Sequence, residues 1–223
     1  VAVGDLDPTA VFSLAEEVLP KESGPAIPRD YGRETDLTPL EAEVSCEMEV
    51  SMPTFLLGFK CPPMSGGQEQ MRRTLIGELA CDVLLGDSSP LYARLYSQGL
   101  INGTFGSSFG SLPGAACGSS GGDRTDVHAV AEEVLQEARR LVKDGIDPDY
   151  YARIVRANYG STLKSLNSFE SIAISLVEGQ FDGYDPLLFP EMFDSITPQD
   201  LLSFIRENLC REHMALSVVY PKE

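Results

Sequence analysis

The residues able to do chemistry are few, and their spacing suits none of the common reactions. Only two histidines occur, His128 and His213. His128 leads into Ala129-Val130-Ala131-Glu132, and His213 into Met214-Ala215. A metallopeptidase helix needs H-E-x-x-H or H-x-x-E-H, so that one helix face presents both imidazoles and a general base. Neither histidine has that neighbourhood, and each reads as a structural or surface residue. Two G-x-S-x-G strings are present, Gly106-Ser107-Ser108-Phe109-Gly110 and Gly118-Ser119-Ser120-Gly121-Gly122. A nucleophile elbow requires a strand, a strained serine turn and an immediate helix. The first string falls inside a predicted hairpin, and Asp123-Arg124-Thr125 separate the second from its helix. No G-x-x-x-x-G-K-[ST] phosphate cradle occurs. The residues alone therefore specify no catalytic and no metal-binding set.

The five cysteines, Cys46, Cys61, Cys81, Cys117 and Cys210, include no C-x-x-C pair. Cys46, Cys81 and Cys117 sit among apolar residues and read as small core hydrophobes. Unpaired spacing of this kind points to a reducing, cytoplasmic compartment and away from a disulfide framework.

Charge narrows the partners. The net charge is −17, with 34 acidic residues against 17 basic ones. A nucleic-acid binder neutralises phosphates with Lys and Arg, so this balance argues against nucleic acid and against an anionic membrane surface. No apolar run approaches the ~20 residues of a spanning helix. Residues 1–49 carry 12 acids and 3 bases, a net of −9. That excess is a solvated acidic face or a field that attracts basic peptides.

The elements that must position these residues follow from periodicity. Asp7 and Pro8 start a helix with Val11, Leu14 and Val18 on one stripe. Residues 21–40 are rich in proline and charge and read as a linker. Val44, Cys46, Met48, Val50 and Met52 alternate with Glu43, Ser45, Glu47, Glu49 and Ser51, which predicts a half-buried strand. Residues 55–59 continue as a more fully buried strand. Met71, Leu75, Leu79 and Val83 define a helix over 68–85. Ser89-Pro90 opens a shorter helix to about Gln98. Strands are expected over 101–109 and 114–120. Helices follow from Val127, from Asp147-Pro148, over 168–181, near Pro186 and Pro190, and from Thr197-Pro198. Leu216–Tyr220 closes the chain as a strand. Val1–Val3 reads as the remnant of a preceding strand in a longer protein. The expected division is residues 1–20 as strand end and first helix, 21–40 as linker, and 41–223 as the main domain. Strands in adjacent pairs separated by helices predict an α+β fold: a mainly antiparallel sheet covered by helices in two layers.

The order of short motifs adds a resemblance. Val3-Gly4-Asp5-Leu6-Asp7-Pro8 resembles the V-G-D-x-D-P step of the pitrilysin/insulinase zinc peptidases, the inverted-motif family that includes the processing peptidases. Phe55–Lys60 is similar to that family's hydrophobic-G-F strand. Leu84–Tyr92 resembles L-L-G-x-x-S-S-x-L-(F/Y), Leu95–Ile101 resembles L-R-E-x-x-G-L, and Ile196–Asp200 resembles I-T-x-x-D. These motifs cover the chain in order and are most like bacterial members about twice as long.

The resemblance implies a metallopeptidase-domain fold of the LuxS and processing-peptidase type. It places this chain as the C-terminal domain, which carries no zinc ligand itself. Zinc, held by H-x-x-E-H and a downstream Glu, is expected in the N-terminal domain of the parent chain, which would be a zinc metalloendopeptidase. The isolated domain is expected to be inactive. The implied partners are a peptide substrate and a second peptidase-like half, as a homo- or heterodimer. An Arg/Tyr pair in L-R-x-x-x-x-L-x-Y orients substrate in that family. Here Tyr96 stands at the Arg position, Ile101 and Asn102 stand where Tyr is expected, and Arg94 is one step out of phase. The alternative is a non-catalytic structural or assembly subunit that keeps the fold.

Overall fold

The structure is a computed structural model that describes residues 1–21, 24, 25, 27, 30, 32, 35–123 and 126–222. Its centre is a five-stranded sheet: β1 (Glu43–Met48), β2 (Thr54–Cys61), β3 (Gly106–Leu112), β4 (Ala115–Asp123) and β5 (Met214–Pro221). The spatial order is β1-β5-β2-β4-β3. β1 runs parallel to β5, and every other pairing is antiparallel.

Helices cover one face. α2 (Gln68–Leu85) lies on the sheet, with α4 (Val127–Asp144) and α8 (Pro198–Asn208) beside it. The four-residue spacing of Leu75, Leu79 and Val83 brings all three onto the buried side of α2, and Leu79 is fully buried. They meet Phe55, Leu57 and Phe59 of β2 and Leu216 and Val218 of β5 in one core. α2 can approach β3 closely because residue 77 is glycine. A Cβ there would lie 2.6 Å from the Phe109 ring. The remaining helices are α1 (Pro8–Val18), α3 (Pro90–Ser97), α5 (Pro148–Ser165), α6 (Phe169–Asp182) and α7 (Phe189–Ser195).

Local caps set the helix starts. Asp7, Ser89, Asp126, Asp147 and Ser168 each accept a bond from a first-turn amide, which satisfies an otherwise orphaned N–H. Thr197 and Asp200 form a reciprocal capping box. α2 has no side-chain cap. Instead Gly67, at φ +88°, donates its N–H to the Asp182 carbonyl at 2.6 Å.

Several expectations need correction. β1 ends at Met48 and is exposed along its whole length, not half-buried. Its register with β5 explains why. Glu43 and Ser45 pair with Leu216 and Val218, which point at the helices, so Val44 and Cys46 share the opposite, uncovered face with Ser217 and Val219. Cys46 and Cys117 are exposed there, whereas Cys61 and Cys81 are the buried pair. The hairpin is also displaced from the expected strands, because Asn102 folds residues 102–105 into a turn before β3. Val1–Val3 pairs with no strand among the described residues. The 21–40 segment is only partly within the described residues, and Arg124 and Thr125 lie outside them.

Candidate functional site

The side of the sheet away from the helices has no covering layer among the described residues. Alternation places Leu56, Gly58 and Lys60 of β2 on it, together with Cys117, Ser119 and Gly121 of β4. β3 adds Ser108, and β5 adds Ser217 and Val219. Leu56 is 55% exposed, while its neighbours Phe55 and Leu57 are 3% and 0% exposed. A shallow concavity of about 470 Å³ opens between Leu56, Ser108, Ser119, Gly121, Ser217 and Val219.

Small residues make this surface concave. Gly121 is held tight: a Cβ there would come 2.5 Å from the Phe55 carbonyl oxygen. The hydroxyls of Ser108 and Ser119 bond to each other at 2.9 Å. The Thr54 hydroxyl donates to Asp123 at 2.7 Å. Lys60 donates to the Thr38 carbonyl at 3.3 Å. No imidazole reaches the serines: His128 lies 3.7 Å from Glu43, and His213 sits in the 3-10 turn before β5, its Nδ1 buried without a partner among the described residues. The surface therefore offers hydroxyls, small apolar groups and two strand edges, β1 and β3. That is chemistry for docking an extended chain.

No group of three His, Cys, Asp or Glu residues among the described ones could hold a metal ion. His128 lies in the first turn of α4 and His213 ends the 3-10 turn before β5, and neither has a second ligand beside it in the pattern zinc requires. The buried thiols do not supply a nucleophile. Burial pushes Cys61 up to about 12 and Cys81 further up, so neither forms thiolate near neutral pH.

The four residues singled out by the family motif separate in the fold. Ile101 is 2% exposed and belongs to the core. Tyr96 is exposed and stacks on Tyr92, with ring centroids 6.0 Å apart. Asn102 accepts from the Thr104 amide at 2.9 Å and its hydroxyl at 2.5 Å, which places Thr104 at the rim of the concavity. Arg94 ties α3 to α4 through Glu133 at 3.1 Å and Glu137 at 3.3 Å. Burial pushes the Glu137 carboxyl up, but the Arg140 hydrogen bond and the charges of Arg140 and Arg94 outweigh it and hold it below the usual value. Of motifs able to do chemistry, the open face carries only residues of the two G-x-S-x-G strings, which lie in the β3–β4 hairpin and not at a strand-to-helix elbow. Its broader signal is the Gly/Ser bias over residues 103–122, which follows from a surface that must stay shallow.

The described residues thus form a helix-backed sheet with one bare face of small and hydroxyl groups. The model of the Peptidase M16 inactive domain matches residues 1–158, and the chain belongs to that family. It is 29% identical over 231 residues to the uncharacterized zinc protease YmfH of Bacillus subtilis strain 168, covering 99% of this chain and 52% of that one. Among solved structures, a protein of Alicyclobacillus acidocaldarius described as M16-like superposes with a TM-score of 0.87 at 21% identity. That match covers 96% of this chain and 51% of the other. A Helicobacter pylori protease superposes at 0.81 with 18% identity, covering 98% and 54%. At these identities the structures share the fold. The chain spans about half the length of each of these proteins.

Proposed function

We propose that this chain is the C-terminal domain of a pitrilysin/insulinase-type zinc peptidase, and that its open sheet face is a wall of the peptide chamber. The bare concavity around Leu56, Ser108, Ser119 and Val219 carries this reading. A folded domain leaves such a face uncovered when something else lies against it, and an unfolded peptide suits its hydroxyls and strand edges. In this reading residues 1–20 lead in from the preceding domain, 21–40 link, and 41–223 form the wall. Zinc belongs to the N-terminal domain of the parent. A second peptidase-like half, from the same or a different chain, closes the chamber and supplies the Arg/Tyr pair that Tyr96, Ile101 and Asn102 do not reproduce. The compartment is the cytoplasm, in keeping with five cysteines free of disulfides. No helix among the described residues is long and apolar enough to cross a membrane.

The test measures zinc and peptide cleavage on the full-length chain, with the 223-residue chain as control. The expected result is bound zinc and chelator-sensitive cleavage of an unstructured peptide by the full-length chain, and neither by the control. Cleavage that requires a second protein fits the divided Arg/Tyr pair. A zinc-free full-length chain replaces this reading with the assembly-subunit one, which the burial of Ile101 and the stacking of Tyr96 favour. Cleavage by the control that survives contaminant checks overturns the reading altogether.

A further inference from the structure

The turn before β3 contains the chain's one Asn-Gly step, Asn102-Gly103. The residue after an asparagine decides how closely its backbone nitrogen can approach the side-chain carbon Cγ. Glycine has no Cβ to obstruct that approach. Gly103 is exposed, and among the described residues nothing lies within 4 Å of where a Cβ would stand. Its N–H enters no hydrogen bond among those residues and is open to solvent base.

The fold supplies what the dipeptide lacks. Asn102 Oδ1 accepts from the Thr104 amide at 2.9 Å and from the Thr104 hydroxyl at 2.5 Å. The first of these bonds closes a ring that contains both the Asn102 Cγ and the Gly103 nitrogen. The side chain is thereby folded back over the peptide group that can attack it. Both donors polarise the Cγ carbonyl and face the oxygen that gains charge as a tetrahedral centre forms. The hydroxyl is itself oriented: the Asp123 amide donates to its oxygen at 3.3 Å, which leaves its proton for Asn102. Ile101 and Phe105 are buried on either side, and the Phe105 N–H donates to the Asn102 carbonyl at 3.2 Å. The turn is therefore ordered before any reaction begins.

The other three asparagines lack this arrangement. Asn158 and Asn208 lie within α5 and α8, and their Nδ2 groups donate to the Ile154 and Phe204 carbonyls. The amide after Asn208 is bonded to the Ile205 carbonyl, and the amide after Asn167 to the Ser165 carbonyl, each at 3.0 Å.

We propose that Asn102 is a self-modification site, which the folded chain converts to aspartate and isoaspartate. The Gly103 nitrogen gives up its proton to solvent base and attacks the Asn102 Cγ. The new C–N bond closes a cyclic succinimide, and Nδ2 takes up a proton and leaves as ammonia. Water then adds to either imide carbonyl. Opening at Cγ breaks the new bond and leaves aspartate at position 102. Opening at the main-chain carbonyl breaks the original peptide bond and leaves isoaspartate, with the chain running through the side chain. Water is the sole co-reactant. Either product sets a carboxylate beside Thr104 at the rim of the concavity, and isoaspartate also lengthens the main chain ahead of β3. The inference does not depend on the peptidase reading.

The experiment incubates the full-length chain at neutral pH, natively and in guanidinium chloride, and follows each asparagine by peptide mass mapping. Enzymatic methylation of isoaspartate gives a second readout. Asn102 should convert while the other three persist, and about tenfold faster in the native chain than in the unfolded one, because the Thr104 donors are in place only when folded. Thr104→Ala removes the hydroxyl and should slow the native reaction several-fold, less than the ~10² of a water-excluded oxyanion hole. Thr104→Ser keeps the hydroxyl and should react at close to the native rate. Circular dichroism checks that both variants fold, and the native-against-unfolded comparison decides the matter even where one does not. An Asn102 that persists, or that converts no faster in the native chain than in the unfolded one, overturns the proposal. A folded Thr104→Ala chain that reacts at the native rate also overturns it.

Discussion

Glu78 shows how far a single side chain departs from what its sequence position suggests. On the helical pattern it is an ordinary polar residue of α2. In the fold it lines a cavity of about 520 Å³ with Glu178, Asp182 and Tyr184, and no Lys or Arg lines that cavity. Burial, reinforced by Asp82, pushes its carboxyl up to about 7 from an ordinary 4.5. A group whose acid form is favoured by folding holds its proton more tightly in the native state. Stability is then fully present below the unfolded value and falls as pH rises from about 4.5 to about 7. Glu78→Gln, which keeps the shape and removes the charge, should therefore be more stable than the native chain at pH 8. The carboxyl lies at the cavity, but Glu78 as a whole residue is exposed, so solvent screening reduces the gain to about 1 kcal/mol or less. Urea midpoints at pH 8 and pH 4 check this: the two proteins should differ at the first and converge at the second. Arg94 is the contrasting case. Its place one step out of phase with the family motif is visible in the sequence, but its engagement with Glu133 and Glu137 needs α4 beside α3.

At the scale of elements, chemistry local to a few residues was legible. Asp7-Pro8, Ser89-Pro90, Asp147-Pro148 and Thr197-Pro198 announce helix starts, and all four cap the helices they precede. A cap works through bonds within one turn, so it survives whatever the rest of the chain does. The Thr197 hydroxyl and amide both reach the Asp200 carboxylate, at 2.7 and 2.8 Å. Thr197→Ala removes the hydroxyl contacts and should cost about 1 kcal/mol, read as a lowered thermal midpoint with an unchanged native spectrum. β1 marks the limit of local reasoning. Its alternation correctly groups Val44, Cys46 and Met48 on one face, but grouping does not say which face a helical layer covers. That was decided by its parallel register with β5.

The molecule as a whole is a one-sided layer, and neighbouring residues of β2 test that directly. Leu57 faces the helices and is fully buried, whereas Leu56 faces the open side. Leu57→Ala should destabilise the domain by about 2–5 kcal/mol through lost burial and the cavity left behind. Leu56→Ser should cost less than about 1 kcal/mol, since most of that side chain is already in water. Denaturant unfolding of both variants settles the comparison, and equal losses would mean that the open face is covered in solution.

The amino-acid sequence by itself determined the element types, most helix starts, the α+β class, and family membership through an ordered run of short motifs. Each of these depends on spacing within a turn, a strand or a motif. The tertiary structure alone decided that the serine-rich strands form a bare, shallow surface. It also buried Ile101 while leaving Tyr96 exposed. The reason is physical. Periodicity reports which side chains point the same way, whereas what they point at is set by packing between segments far apart in the chain.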